Sequence, residues 1–395
     1  MLSNRQLFLR HLAQTTDSPL LIEIEQAEGC YLYSPEGKRY LDLISGISVS
    51  NVGHRHPAVV EAIKKQVDTY MHLMVYGEYV QSPQIRLAKA LTETLPTHLD
   101  SVYLVNSGSE AVEGALKLAK RYTGRRNLVS CHLAYHGSTQ GSLSVGGSEE
   151  FKQAYRPLLP GVSHIYFGVE AELEKIDHNT AAVIIETVQG EAGVRTACRR
   201  YWQALQKRCN ETGTLLILDE IQSGFGRTGS FWAFSQYDIA PDILVTAKGM
   251  GGGMPIGAFI AGKEVMHSLT HNPILGHITT FGGHPVSAAA SLATLQTILH
   301  ENLHGSVKER AELFKSLLKH PEIKAIREAG FMMAVEFKDF PRLKQIIDRS
   351  IELGVITDWF LFCNNSMRIA PPLIISEDEI KEACAVIIRA IEETA

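Results

Sequence analysis

Leu215-Leu216-Ile217-Leu218-Asp219-Glu220 and, a short way on, Ile243-Leu244-Val245-Thr246-Ala247-Lys248 decide how this chain is read. Each is an apolar run of strand length that ends on a charged residue. The second delivers Lys248 into a nest of glycines, Gly249-Met-Gly-Gly-Gly253, closed by Pro255 and Gly257. Two buried strands side by side would bring an acid and a lysine to one crevice. Between them lies Gly224-Phe-Gly-Arg-Thr-Gly229, a literal GxGxxG. A dinucleotide fingerprint requires a strand directly before the glycines, a helix opening on them and an acid about 20 residues later. Here Glu220 to Ser223 intervene, Phe231 to Tyr237 lacks a helical start, and Asp238 comes too early. A nicotinamide site is rejected at this position.

Working outward, short apolar segments alternate with amphipathic ones. Strands are expected at Val102–Val105, Leu128–Cys131, Ala182–Ile185 and Ala258–Ala261, with helices at Ser109–Tyr122 and Tyr201–Cys209 between them. This alternation predicts a largely parallel sheet covered by helices on both faces, with ligands at the carboxyl ends of its strands. Before it come a helix over Arg5–Gln14, a small meander from Ile22 to Leu43, a helix entered at Pro57, and another over Gln84–Thr94. After it, helices over Val286–Leu299 and Ser306–Leu318 and strands at Met333–Phe337 and Met367–Ile369 predict a smaller α+β unit. The expected division is residues 1–50 packing with the small domain, 51–290 as the large domain, and 291–395 as the small domain.

The 395 residues carry 45% apolar and 21% charged side chains, ample for a sizeable core. A net charge of −5 without a concentrated basic face excludes a nucleic-acid footprint. The six cysteines show no CxxC and no metal-ligand spacing, and no apolar run approaches the roughly 18 residues of a membrane span. Together these features predict a cytoplasmic protein with reduced thiols. The histidines of Gly53-His-Arg-His-Pro57 lack a third ligand, and His267 with His271 lacks the glutamate of a zinc motif, so no metal is expected.

Several residues bear on chemistry. Ser107, Gly108 and Ser109 open a helix, where backbone N–H groups and the helix dipole favour an anion such as a phosphate; a plain N-cap is the alternative. Tyr135 follows a strand and could stack on a planar ligand. A lysine among glycines can approach a flat ligand closely and loses its proton when desolvated. Lysine as Schiff base, Asp219 on a ring nitrogen and a phosphate cup at a helix start together describe pyridoxal phosphate.

These motifs resemble the class III, fold-type I pyridoxal-phosphate aminotransferases, the acetylornithine/ornithine/4-aminobutyrate group. The resemblance runs from Gly29-Cys-Tyr-Leu-Tyr-Ser-Pro-Glu-Gly-Lys-Arg-Tyr-Leu-Asp-Leu43 to Met367-Arg-Ile-Ala-Pro-Pro-Leu373. It is densest in Leu218–Gly229 and Ala247–Gly257. It implies a large domain with a mainly parallel seven-stranded sheet plus a smaller α+β domain. Lys248 would be the Schiff-base lysine and proton shuttle, and Asp219 the partner of the pyridine nitrogen. Gln222 would bond the ring hydroxyl, Ser107, Gly108 and Ser109 the phosphate, and Tyr135 the ring face. His136 and Glu186 would complete the cofactor site. Thr280, in Thr279-Thr-Phe-Gly-Gly-His-Pro285, matches the residue that reaches the neighbouring subunit's phosphate, which implies a homodimer. Glu191, in Glu186-Thr-Val-Gln-Gly-Glu191, would gate Arg368. In that family the pair is closed for an ω-amine donor and opens so that the arginine takes the α-carboxylate of 2-oxoglutarate, and the resemblance implies the same here. Thr187 stands where proline is usual.

The chain departs from the family at Ser138, where the group usually carries an arginine that holds the donor's carboxylate. Phe281 stands where tyrosine is common. Tyr76, Tyr79 and Ile47 fall in segments that shape the donor side. The function implied is transfer of a terminal amino group to 2-oxoglutarate. The alternatives are a mutase of the glutamate-1-semialdehyde type or a decarboxylase of the same fold and, from a different class, a non-catalytic pyridoxal-phosphate-binding regulator.

Overall fold

The strands that carry the acid and the lysine are buried along their whole length, and that burial explains their unbroken apolar sequence. The computed structural model describes residues 2–395. Its largest sheet has seven strands in the spatial order Ser101–Val105, Gly257–Ala261, Ile243–Thr246, Leu215–Asp219, Thr180–Glu186, Asn127–Cys131 and Val162–Ile165. The second to fifth of these are buried at every position. Helices on both faces cover them, so no residue is left to alternate toward water. Pairing is parallel except at Gly257–Ala261, which runs antiparallel to both neighbours. Register then settles what sequence alone could not. Glu186 lies directly opposite Asp219, and Asp219 opposite Val245, so both acids reach the same carboxyl edge that Lys248 follows.

Two four-stranded sheets flank this core. One joins the early meander, Gln26–Glu28, Tyr31–Tyr33 and Arg39–Asp42, to Val355–Ile356, which pairs in parallel with the third of these strands. The start of the chain is thereby hydrogen-bonded to its last quarter. The other is antiparallel, in the order Ala325–Ala329, Met332–Glu336, Cys363–Ile369 and Asp358–Phe360. Helices Phe340–Glu352 and Glu377–Glu393 pack nearby. The second carries a full capping box, in which Ser376 accepts from the Glu379 N–H and Glu379 reaches back to the Ser376 N–H.

Differences from the sequence reading have local causes. The strand Val162–Ile165 escaped notice because it is a sheet edge with Ser163 exposed and His164 half-buried, so its apolar signal is thin. The first helix ends at His11, three residues early, because Leu12 is extended and the helix buries nothing that would prolong it. The helix expected at Gln84–Thr94 spans Ser82–Thr92, with Pro83 in its first turn, the position proline tolerates. Strands Ala325–Ala329, Val355–Ile356 and Asp358–Phe360 were also unforeseen, the last two being only two and three residues long. Among the described residues no helix is long and apolar enough to cross a membrane.

Candidate active site

At the carboxyl edge of the seven-stranded sheet lies a pocket of about 410 Å³. Ser107, Gly108, Ser109, Tyr135, His136, Glu186, Glu191, Asp219, Gln222 and Lys248 all line it. Residues spread over more than 140 positions of sequence thus meet in one crevice.

The acids are individually held. Asp219 Oδ1 accepts the Ile221 N–H at 3.0 Å, and Oδ2 lies 2.7 Å from His136 Nδ1. The other ring nitrogen of His136 lies 3.3 Å from Ser130 Oγ, so the imidazole is fixed at both ends and buried. Glu186 accepts the N–H groups of Tyr135 and Gly190, each at 3.0 Å, and thereby ties two loops together. Burial pushes its carboxyl up to about 7, with His136 pulling it down and Asp219 pushing it further up.

The opposite wall is the start of helix Gly108–Thr123. Ser107 is its N-cap and accepts the Glu110 N–H at 3.2 Å, so the capping role is observed alongside a position at the pocket wall. Gly137, at φ +125°, passes so near Ser109 Oγ that a side chain there would collide with it. The loop carrying Tyr135 is thus pressed against the helix start. Gly190 approaches the Gln222 amide in the same way.

Lys248 follows its strand in a left-handed conformation, φ 45°, which is uncommon for a residue with a side chain. Burial lowers the pKa of its amine; Glu191, Asp219 and Glu186 pull the other way, and Arg368 adds to the lowering. A lysine so placed has an accessible neutral form, which a nucleophile or proton carrier needs.

Arg368 and Glu191 meet fork to fork, with Nη1 to Oε1 and Nη2 to Oε2 both 2.9 Å. Each residue is nearly fully buried. Burial opposes the charge on Glu191, but Arg368 more than offsets this and holds the carboxyl below its ordinary range. The backbone N–H of Leu361 donates to Glu191 Oε2 at 3.1 Å. A third ionic group, absent from the sequence reading, stands on the arginine's other edge: Asp358 Oδ1 lies 3.0 Å from Nε. Burial raises the Asp358 carboxyl to about 6, Arg368 drawing it down and Glu191 pushing it up.

Ser138 is exposed, and its hydroxyl lies 3.2 Å from the Tyr135 hydroxyl. Thr280 is exposed and absent from the pocket's lining. Tyr76 and Tyr79 line a different cavity of about 320 Å³, with Thr279 and Gly282. Ile47 belongs to a run of four left-handed residues, Ser45 to Ser48, with φ between 52° and 63°. That strained turn is pinned by Ser45 Oγ donating to the Ala370 carbonyl at 2.8 Å, and Val49 just beyond it lines the pocket.

Two supporting residues were missed beside the expected ones. Glu220 is fully buried and accepts from Thr187 Oγ1 (2.7 Å), Ser223 Oγ (3.0 Å) and the N–H groups of Ala233 (3.0 Å) and Phe234 (2.8 Å). It holds the glycine loop to the sheet. Arg227, inside that loop, is fully buried and donates to the Asn51 side chain and the Pro371 carbonyl. A charged residue in an otherwise uncharged, glycine-rich loop was the available signal. The glycine motif is therefore a buried junction of turns, with no helix opening on it.

Three comparisons bear on this geometry. The family model described as Aminotransferase class-III matches residues 12–391. The acetylornithine aminotransferase of Methanopyrus kandleri is 40% identical over 373 residues, covering 94% of each chain. That of Archaeoglobus fulgidus is 38% identical over 383 residues, 96% of this chain and 98% of the relative. Among solved structures, the ornithine aminotransferase from Toxoplasma gondii, described with partial occupancy of PLP at its active site, superposes with a TM-score of 0.90. It is 28% identical and covers 98% of this chain and 94% of its own.

Proposed function

This chain belongs to the class-III aminotransferases, and from that premise we propose that it moves a terminal amino group from an amine or amino acid to 2-oxoglutarate, with pyridoxal 5′-phosphate as cofactor. The observation that carries the reading is the fork-to-fork pair of Glu191 and Arg368, with Glu191 in the wall of the pocket that also holds Lys248.

The residues present fit the cofactor on several observations. A helix N-terminus with two hydroxyl residues supports a phosphate. A carboxylate pinned by His136 and the Ile221 N–H suits a ring nitrogen. Gln222, backed by Gly190, suits a ring hydroxyl, and Tyr135 suits the ring face. Bound there, pyridoxal phosphate would supply an electron sink for the carbon that bears the amine. Lys248 Nζ would hold the cofactor at rest, then take the proton from that carbon and return it to the adjacent position. His136 and Ser130 keep Asp219 oriented throughout. With Glu191 on the arginine fork, Arg368 presents no free charge to a donor that carries only a terminal amine. When Glu191 leaves, the same fork accepts the α-carboxylate of the oxo acid.

Thr280, exposed and outside its own chain's pocket, is placed as a residue serving a second copy would be. Exposed apolar side chains nearby, Ile274, Ile278 and Phe281, also support a homodimer. Six free cysteines support a reducing compartment, the cytoplasm. Acetylornithine- or ornithine-like donors are the reading's centre, with Ser138 favouring donors that need no arginine at that position. The mutase, decarboxylase and regulator readings are not favoured, since the similar proteins are named as aminotransferases. A donor panel with 2-oxoglutarate, pyruvate and oxaloacetate as acceptors tests the proposal. Turnover of ω-amines with 2-oxoglutarate is expected, whereas strict α-amino preference would overturn it.

A further inference from the structure

Arg368 has two carboxylates but only one of them sits on its fork. Glu191 takes the outer edge, both Nη atoms, while Asp358 faces Nε at 3.0 Å. The second contact follows from strand register. Asp358 and Arg368 are directly opposite each other on antiparallel strands, so their side chains emerge on one face. The short strand Asp358–Phe360 supplies more than the acid. The Trp359 carbonyl accepts from Nη2 at 3.1 Å, and the Phe360 ring lies 4.7 Å beneath the guanidinium carbon. One three-residue strand thus grips the arginine by its inner edge and its face, leaving only the outer edge to Glu191.

We propose that Asp358 is a positioning residue that keeps Arg368 partnered and in register while its outer edge exchanges Glu191 for the acceptor's α-carboxylate. The inference rests on the gate reading given above. Its physical ground is the state between the two partners. A buried guanidinium that loses its sole carboxylate is an uncompensated buried charge, a costly condition. With Asp358 on Nε that condition never arises, so Glu191 can depart without the arginine following it. The geometry suits a grip that does not saturate the cation. Asp358 Oδ1 holds Nε at 3.0 Å while both Nη atoms remain available on the outer edge. Charge balance agrees as well. Two carboxylates face one cation when Glu191 is in place, and two again when an acceptor carboxylate replaces it.

A merely structural ion pair between neighbouring strands would weaken the protein and leave both half-reactions equally affected. The exchange role predicts a split. In the holoenzyme, Asp358→Asn, nearly isosteric, is expected to leave the donor half-reaction within about twofold by stopped-flow absorbance. It should lower kcat/KM for the 2-oxoglutarate half-reaction at least about tenfold, mainly through KM, one misplaced charge-assisted contact being worth that much. Calorimetric binding of glutarate, a dicarboxylate that cannot react, should weaken by a similar factor. Equal loss in both half-reactions, or unchanged glutarate binding, overturns the proposal. Arg368→Ala, measured alongside, separates the two levels. If it leaves the acceptor half-reaction intact, the gate itself is wrong. If it cripples that half-reaction while Asp358→Asn does not, only the role of Asp358 falls.

Discussion

Glu191 and Arg368, 177 residues apart in sequence, close on each other through two parallel contacts of 2.9 Å inside a buried wall. Removing the acid leaves the arginine fork free for any α-carboxylate. Glu191→Ala is therefore expected to raise kcat/KM for glutamate as donor about tenfold and to lower it for ω-amines by a similar factor, each the scale of one charge-assisted bond. Steady-state kinetics with both donor types measures the ratio, and an unchanged ratio would count against the gate.

Lys248 combines a desolvated amine with a left-handed backbone. Lys248→Ala should lower turnover by about 10³-fold or more, the scale of a lost positioned acid–base group. The visible absorbance expected of the wild-type preparation should disappear with it. A variant that keeps both colour and activity would sink the cofactor assignment.

Arg227 is a wholly buried cation without a carboxylate in hydrogen-bonding contact, and it clamps Asn51 and the Pro371 carbonyl to the glycine loop. Arg227→Met retains volume but strands both acceptors. A loss of about 3 kcal/mol in denaturant unfolding is expected, the cost of buried polar groups left unpaired. Denaturation curves within error of wild type would show that the clamp contributes nothing.

Glu220 is held up to about 7 by burial, against an ordinary 4.5, despite its four donors. Folding therefore takes up a proton between those values. The stability linked to this group is fully present below pH 4.5 and is lost as pH rises through 7. In Glu220→Gln that dependence vanishes, so wild-type stability measured relative to the variant should fall by about 3 kcal/mol from pH 4.5 to 8. Thermal melts across this range give the sign; a wild type that gains stability on the variant as pH rises would contradict it.

Ser138 is exposed beside Tyr135. Ser138→Arg would restore a bidentate cation on the donor side, and kcat/KM for N-acetylornithine or ornithine should rise about tenfold relative to a simple diamine. A donor profile identical to wild type would mean that the donor carboxylate is held elsewhere.

What could be read from the sequence was local. The strands Leu215–Asp219 and Ile243–Thr246, the Ser107 cap and the proline-entered helix at Pro57 each declare themselves within a few residues, through apolar runs, capping chemistry and fixed φ. Strand Val162–Ile165 did not, because half its residues are polar and its place depends on an edge offered by Asn127–Cys131. Glu220 shows in the sequence only as the residue after Asp219; that four donors converge on it comes from the fold.

The sequence by itself determined the alternation of the buried central strands with helices, the acid and the lysine at two strand ends, and, through its motifs, the family. Only the tertiary structure decided that Glu186 stands opposite Asp219, that His136 holds the second acid, and that Arg368 lies between Glu191 and Asp358. The reason is physical. Backbone propensity and apolar period act over a few residues, whereas an ion pair across 177 positions exists only once sheet register has set which side chains share a face.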